Sequence, residues 1–270
     1  MGQETTGNTS MLQISAISAC IQNYIWIFHT EIDRKVWIVD PGDSSAVNTW
    51  LKKNDKELAG ILLTHHHWDH VNGVEDIINQ QTPVFGPALE PFKLTNQHLS
   101  EGDTVNIGWL NFRVLELHGH TQHHIAYLCT PEQGPPMLFC GDILFSAGCG
   151  RLKQGTAAQL FESLNRMKME LTDDTLIYCG HEYTLDNLKF ALTVEPTNGD
   201  AAAHREHCLK LRDQGLRTVP SRMDLEKRIN PFLRCDKSEI ISSCENHFGK
   251  KPQNPQECFA ALRKWKDNFT

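Results

Sequence analysis

The chain has 270 residues, 40% of them apolar and 22% charged, enough to bury a real core in one large domain or two unequal ones. Its formal net charge of -7 argues against a general nucleic-acid binder, and no apolar stretch approaches the length that spans a bilayer. The nine cysteines, an odd number with no Cys-x-x-Cys pair, do not read as a disulfide framework, so reduced thiols in a cytoplasmic protein are expected.

Residues 1–10 are polar and glycine-containing, precede a second methionine at Met11, and read as a disordered extension; no signal peptide is visible. From Met11 to about Asp40 the pattern is strands: Leu12, Ile14 and Ala16 alternate with polar residues, then come Tyr24 to Phe28 and Val36 to Val39. Asp40-Pro41-Gly42-Asp43 is a turn, with Ser44 as cap of a helix through about Lys53. A strand over Leu58–Leu63 leads into Thr64-His65-His66-His67-Trp68-Asp69-His70. One helix is expected from Asp69 or His70 through Val74, Ile77 and Ile78.

Strand signals return at Val84-Phe85, Val105–Ile107, Phe112–Leu117, Ile125–Cys129 and Met137–Cys140, joined by Gly, Pro, Asn and Asp. Residues 156–170 read as a helix with Leu160, Phe161, Leu164 and Met167 as its apolar stripe, and Leu176–Cys179 as a last strand. The strand-then-helix rhythm recurs twice, which suggests two packed sheets with helices outside. After His181 helix signals take over: Ser221 with Asp224 resembles a capping box, and Asn254, Pro255 and Glu257 supply a cap, an N1 proline and an acid. A catalytic domain over 11–180 and an α-helical one over 181–270 are therefore expected.

Histidine placement carries the functional signal. Eight of the fourteen histidines fall in the windows 65–70 and 118–124, each just after a strand. Neutral imidazoles with a carboxylate in one loop are metal-ligand chemistry. Gly119-His120, Gly141-Asp142 and Gly180-His181 repeat one device: a strand ends at a glycine that lets the backbone turn, and a donor follows.

Thr-His-x-His-x-Asp-His followed by Gly-His-Thr, Gly-Asp and Gly-His resembles the ligand series of the metallo-β-lactamase superfamily. The finer match is to glyoxalase II, the hydroxyacylglutathione hydrolases, carried by Asn23-Tyr24-Ile25-Trp26, Asp40-Pro41-Gly42-Asp43, Gly148-Cys149-Gly150-Arg151, Gly180-His181-Glu182-Tyr183-Thr184 and Leu262-Arg263-Lys264-Trp265-Lys266-Asp267. The resemblance implies an α+β fold, a four-layer αββα sandwich with a C-terminal α-helical domain. It implies His65, His67 and His120 for one divalent ion, and Asp69, His70 and His181 for a second, with Asp142 bridging. Alternation puts His65 and His67 on one side of an extended segment. His66 and Trp68 then face away and pack, and Asp40 orients a ligand from behind. His118, His123 and His124 are expected outside the ligand set. His118, His123 and Gln22 depart from the family pattern without removing a ligand.

The implied reaction is hydrolysis of S-D-lactoylglutathione and related 2-hydroxyacyl thioesters to the hydroxy acid and glutathione, the second step of methylglyoxal detoxification. Two ions about 3.5–4 Å apart share a water whose pKa falls to roughly 7, with Asp69 and Asp142 serving the resulting hydroxide. Zinc is the expected metal, iron and manganese being compatible with the donors. A thiolate leaves without a strong general acid, since a thiol pKa is about 8.5. Arg151, Lys153, Tyr183, Arg263 and Lys266 are the implied contacts to the glutathione half, and the expected actor is a monomer with a small-molecule substrate, needing neither nucleic acid nor membrane. The rivals are a mononuclear-iron glutathione persulfide dioxygenase of the same superfamily and a non-catalytic metal-binding protein. On their own residues, Arg263 and Lys266 also read as a solvated helix face.

Overall fold

The computed structural model describes residues 12–30, 33–90 and 92–269; the expected extension over 1–10 lies outside them. The first sheet holds β1 (Gln13–Ala19), β2 (Asn23–His29), β3 (Lys35–Val39), β4 (Glu57–Leu62), β5 (Val84–Pro87) and β6 (Gln97–Leu99), side by side in chain order. β1 to β3 are antiparallel, and β3 to β6 run parallel. The second sheet runs β7 (Thr104–Ile107), β8 (Leu110–Glu116), β9 (Ile125–Cys129), β10 (Met137–Gly141), β13 (Leu176–Cys179) and β14 (Ser221–Arg222). A two-stranded hairpin, β11 (Leu144–Phe145) with β12 (Gly148–Cys149), projects beyond the end of β10.

Alternation along β2 shows how the layers form. Tyr24, Trp26 and Phe28 point inward, where they meet Phe112, Phe139 and Tyr178 of the second sheet. Ile25 and Ile27 point outward onto α1 (Ser44–Lys53), against Val47 and Trp50. α2 (Trp68–Val71) and α3 (Val74–Ile77) cover the parallel half through Val71, Val74 and Ile77. α4 (Ala157–Glu170) lies on the second sheet: Ser163 Oγ donates to His118 O at 2.7 Å, while Leu160, Leu164 and Met167 enter the core. The order is helix, sheet, sheet, helix, as expected.

Three local expectations change. Asp43, not Ser44, caps α1, because its carboxylate accepts from the Ala46 N–H at 3.0 Å. The single helix after the histidine loop is two short ones, broken at Asn72-Gly73. A Cβ on Gly73 would stand 2.5 Å from Pro41 O, so the chain bends there to pack under the 40–43 turn. Ser221 caps nothing; it sits in β14, which extends the second sheet beyond the strand expected to be last, and its hydroxyl meets Glu226.

The helical part comprises α5 (Thr184–Val194), α6 (Gly199–Asp213), α7 (Met223–Ile229), a 3-10 turn over Pro231–Leu233, α8 (Ser238–Phe248) and α9 (Pro255–Asp267). Asn254 caps α9 by accepting from the Glu257 N–H, as the sequence anticipates. Phe232, Phe259 and Leu262 join the same buried cluster as Phe139 and Leu160, so sandwich and helices share one core.

Candidate active site

The ends of β4, β8, β10 and β13 converge at one rim, and hydrogen bonds tie the two sheets there. Ile125 N–H donates to Thr64 O, Tyr24 N–H to Gly180 O, and the Trp26 indole to Cys179 O at 2.9 Å. Seven predicted donors meet on this frame. His65 Nε2 and His120 Nε2 stand 3.1 and 2.9 Å from His67 Nδ1. Asp69 Oδ2 stands 3.7 Å from His70 Nε2 and 3.6 Å from His181 Nε2. Within each triplet, His65/His67/His120 and Asp69/His70/His181, the donor atoms lie within 4.8 Å of one another. Asp142 lies between them, Oδ2 at 3.4 Å from His120 Nε2 and Oδ1 at 3.4 Å from His70 Nε2 and 3.2 Å from His181 Nε2.

The triplets differ electrostatically. Burial, reinforced by neighbouring imidazoles, holds His65 well below its ordinary pKa, lowers His120, and brings His67 to about 4. These three are neutral at pH 7 and offer lone pairs. At His70 burial opposes the charge, but Asp142 and Asp40 outweigh it and raise the pKa well above the ordinary value. Burial likewise opposes ionisation of Asp142, and His181 and His70 overcome it, so the carboxylate stays charged.

Supporting bonds aim the donors. Asp40 accepts from Thr64 N–H and, through Oδ2, from the Thr64 hydroxyl at 2.7 Å and His70 Nδ1–H at 3.0 Å, which is the orienting part expected of it. Thr64 Oγ1 stands 3.0 Å from His65 Nδ1, and His120 Nδ1–H donates to Arg151 O at 2.8 Å. Asn23, which the sequence offers only as part of a motif, donates through Nδ2 to Asp69 Oδ2 at 3.0 Å. Fully buried His124 accepts the Asp142 N–H at Nε2 and stacks on His65. His118 pairs with Glu116, and His123 lies beside Glu90 through its backbone.

These donors fit a dinuclear cation centre. His70 Nε2 and Asp142 Oδ1 are buried without a hydrogen-bond partner, and three unprotonated imidazole nitrogens face one point, an arrangement that only a shared cation satisfies well.

A cleft of about 630 Å³ opens over the donors, lined by all five predicted substrate residues, Arg151, Lys153, Tyr183, Arg263 and Lys266. The solvated-face reading of α9 fails at Arg263, which is 3% exposed, donates to Cys149 O at 3.2 Å and Asp267 Oδ1 at 3.0 Å, and lies over the Phe232 ring. Lys266 Nζ donates to Asp186 O at 3.0 Å, and burial, then Arg263, lower its pKa to about 8. The Tyr183 ring stacks flat on His181 at 4.6 Å. Arg151 and Lys153 are exposed at the mouth.

Trp68 departs from expectation: it is 67% exposed and lines the cleft instead of packing away, because α2 starts at this residue and turns its side chain outward. His66 does turn away, meeting Glu90. Cys149 also lines the cleft; burial pushes its thiol up to about 11, so it is no thiolate nucleophile. Behind it, Asn230 Nδ2 donates to Phe145 O and Gly148 O, and Ala147 N–H donates to Glu226 Oε2 at 2.8 Å. Those bonds hold Ala147 in the left-handed region, at φ 55°.

Two family profiles match adjoining segments: the metallo-β-lactamase superfamily over residues 18–181 and the hydroxyacylglutathione hydrolase C-terminus over 182–269. A hydroxyacylglutathione hydrolase of Shewanella halifaxensis is 43% identical over 265 residues, covering 96% of this chain and 100% of the relative. One of Aeromonas hydrophila is 45% identical over 262 residues, with the same coverage. Among solved structures, ETHE1 from Myxococcus xanthus superposes with a TM-score of 0.61 at 26% identity, over 95% of this chain and 98% of that one. With a donor-lined cleft between two sheets and a helical segment matched along its whole length, this chain belongs to the hydroxyacylglutathione hydrolase family of the metallo-β-lactamase superfamily.

Proposed function

We propose that the chain hydrolyses 2-hydroxyacylglutathione thioesters, S-D-lactoylglutathione among them, to the hydroxy acid and glutathione. The observation that carries the reading is one cleft in which a double donor set and a cationic wall from α9 face each other. His65, His67, His120 and Asp142 would hold one ion, and Asp69, His70, His181 and Asp142 the other; zinc suits the donors best, and iron or manganese would also be accepted. Bound there, the pair of ions supplies Lewis acidity toward a carbonyl and a nucleophilic water at neutral pH.

The chain's own residues do the rest. Arg263, Lys266, Arg151 and Lys153 offer positive charge to the two glutathione carboxylates, and the Tyr183 hydroxyl offers a donor that stays protonated, its pKa pushed up to about 12 by burial. Asp40, Thr64 and Asn23 keep the donors in register, so the geometry exists before substrate arrives. In the reaction the water oxygen bonds to the carbonyl carbon, the carbon–sulfur bond breaks with its electron pair on sulfur, and the thiolate takes up a proton. With a thiol pKa of about 8.5 the leaving group needs no dedicated acid.

The dioxygenase rival leaves the segment over 182–269 without a purpose, and the non-catalytic rival leaves a full donor set beneath an open cleft. Metal-loaded protein is expected to bleach the thioester absorbance of S-D-lactoylglutathione and release one thiol per turnover. Oxygen consumption with glutathione persulfide and no thioester loss would overturn the assignment.

A further inference from the structure

The cleft has two lips of unlike chemistry. Its first-sheet lip, from the loops after β1 and β4, contributes Gln22, His67, Trp68 and Asp69. The other lip comes from the second sheet's loops, the hairpin and the helices. It holds every lysine and arginine among the described lining residues. A thioester bound with its carbonyl at Asp142 sends its sulfur and its acyl carbon in diverging directions from one trigonal carbon. The anionic glutathione half belongs on the cationic lip, so the acyl half is directed at the first-sheet lip.

The large apolar surface there is Trp68, a residue 67% exposed although it sits between His67 and Asp69. Its backbone is fixed, since Asn72 N–H donates to Trp68 O at 2.8 Å at the end of α2. An indole left in water at the cleft wall gains by covering its face, and an aryl or branched alkyl group does that far better than the methyl of a lactoyl group.

We infer that Trp68 is the acyl-side specificity determinant and that the cleft takes 2-hydroxyacyl thioesters with bulky apolar acyl groups, aryl ones especially. This rests on the hydrolase reading above. The test compares S-D-mandeloylglutathione with S-D-lactoylglutathione in the metal-loaded wild type, Trp68→Ala and Trp68→Phe, with metal content measured in each. The expected result is a fall of about tenfold in the mandeloyl-to-lactoyl ratio of kcat/KM in Trp68→Ala, largely restored in Trp68→Phe. Inhibition by S-methylglutathione, which lacks an acyl half, is expected to stay within about twofold. An unchanged ratio, or an inhibition constant that weakens along with it, overturns the inference while leaving the hydrolase reading intact. A wild type that turns over neither thioester overturns both.

Discussion

The two sheets contribute to one floor by different means. The first sheet places His65, His67, Asp69 and His70 in a single loop and fixes them with side-chain hydrogen bonds from Asp40, Thr64 and Asn23. The second sheet gives one donor per strand end, His120, Asp142 and His181, each brought in by a glycine at which the backbone approaches a neighbour. A Cβ on Gly180 would lie 2.7 Å from His70 Cε1 and 2.8 Å from Asp142 Oδ1. A hydrogen bond can be weakened by degrees, whereas a Cβ-sized clash cannot. Loss of one of those side-chain bonds in the first half is therefore graded, and a clash at a rim glycine of the second is abrupt.

Gly180→Ala is the harshest test of that contrast. The added methyl must displace His70 or Asp142, and a misplacement of this size costs on the order of 100-fold in kcat/KM. Metal analysis of the purified variant is expected to show substoichiometric occupancy; full occupancy with ordinary kinetics would remove the abrupt half of the argument. Asp40→Asn keeps the shape of the side chain but loses the charged acceptor for His70 Nδ1–H. A weakening of metal affinity between about 10- and 100-fold is expected by chelator competition, with the fold retained. If affinity stays put, Asp40 serves the 40–43 turn alone.

The helical lip should respond in binding, not in chemistry. Arg263→Ala is expected to raise KM about tenfold while kcat falls far less, because its guanidinium bonds to Cys149 and Asp267 and to none of the donors. Steady-state kinetics decide this, and an equal fall in kcat at constant KM would move Arg263 out of the substrate site. The smallest effect is a pH effect. With the Lys266 pKa lowered to about 8, its ammonium loses its proton as pH rises through that value. KM is then expected to climb about threefold between pH 7 and 9, and Lys266→Arg, whose charge persists, is expected to flatten the profile. A wild-type KM that is level over that range would show that Lys266 carries no substrate charge.

What the chain discloses in advance depends on how local each cause is. The histidine loop is legible because its donors are neighbours in sequence, and the rim glycines because glycine before a donor repeats at three strand ends. The cap of α9 is legible for the same reason, Asn254 and Glu257 being three residues apart. The break at Gly73 is not, since its cause is Pro41, 32 residues earlier in the chain. β6 and β14 are three and two residues long and exist only through partners elsewhere. Ser221 looked like a cap because its other partner, Glu226, becomes close only once α7 has formed and the sheet has placed β14. Asn23 carries a motif signal, yet its use is visible only when Asp69 comes within 3.0 Å.

The bonds from α7 and Asn230 to the hairpin set a limit on modular exchange. Phe145 O and Gly148 O depend on the Asn230 amide, and the Ala147 N–H on Glu226, all from beyond residue 181. Removing the helical segment strips three main-chain groups of their partners at once, each a loss of about 1–3 kcal/mol if it stays buried. A lineage could not shed or acquire this segment as a detachable accessory without rebuilding the hairpin beneath the cleft. The proposed substrate wall and the floor beneath it are thus held by one set of bonds.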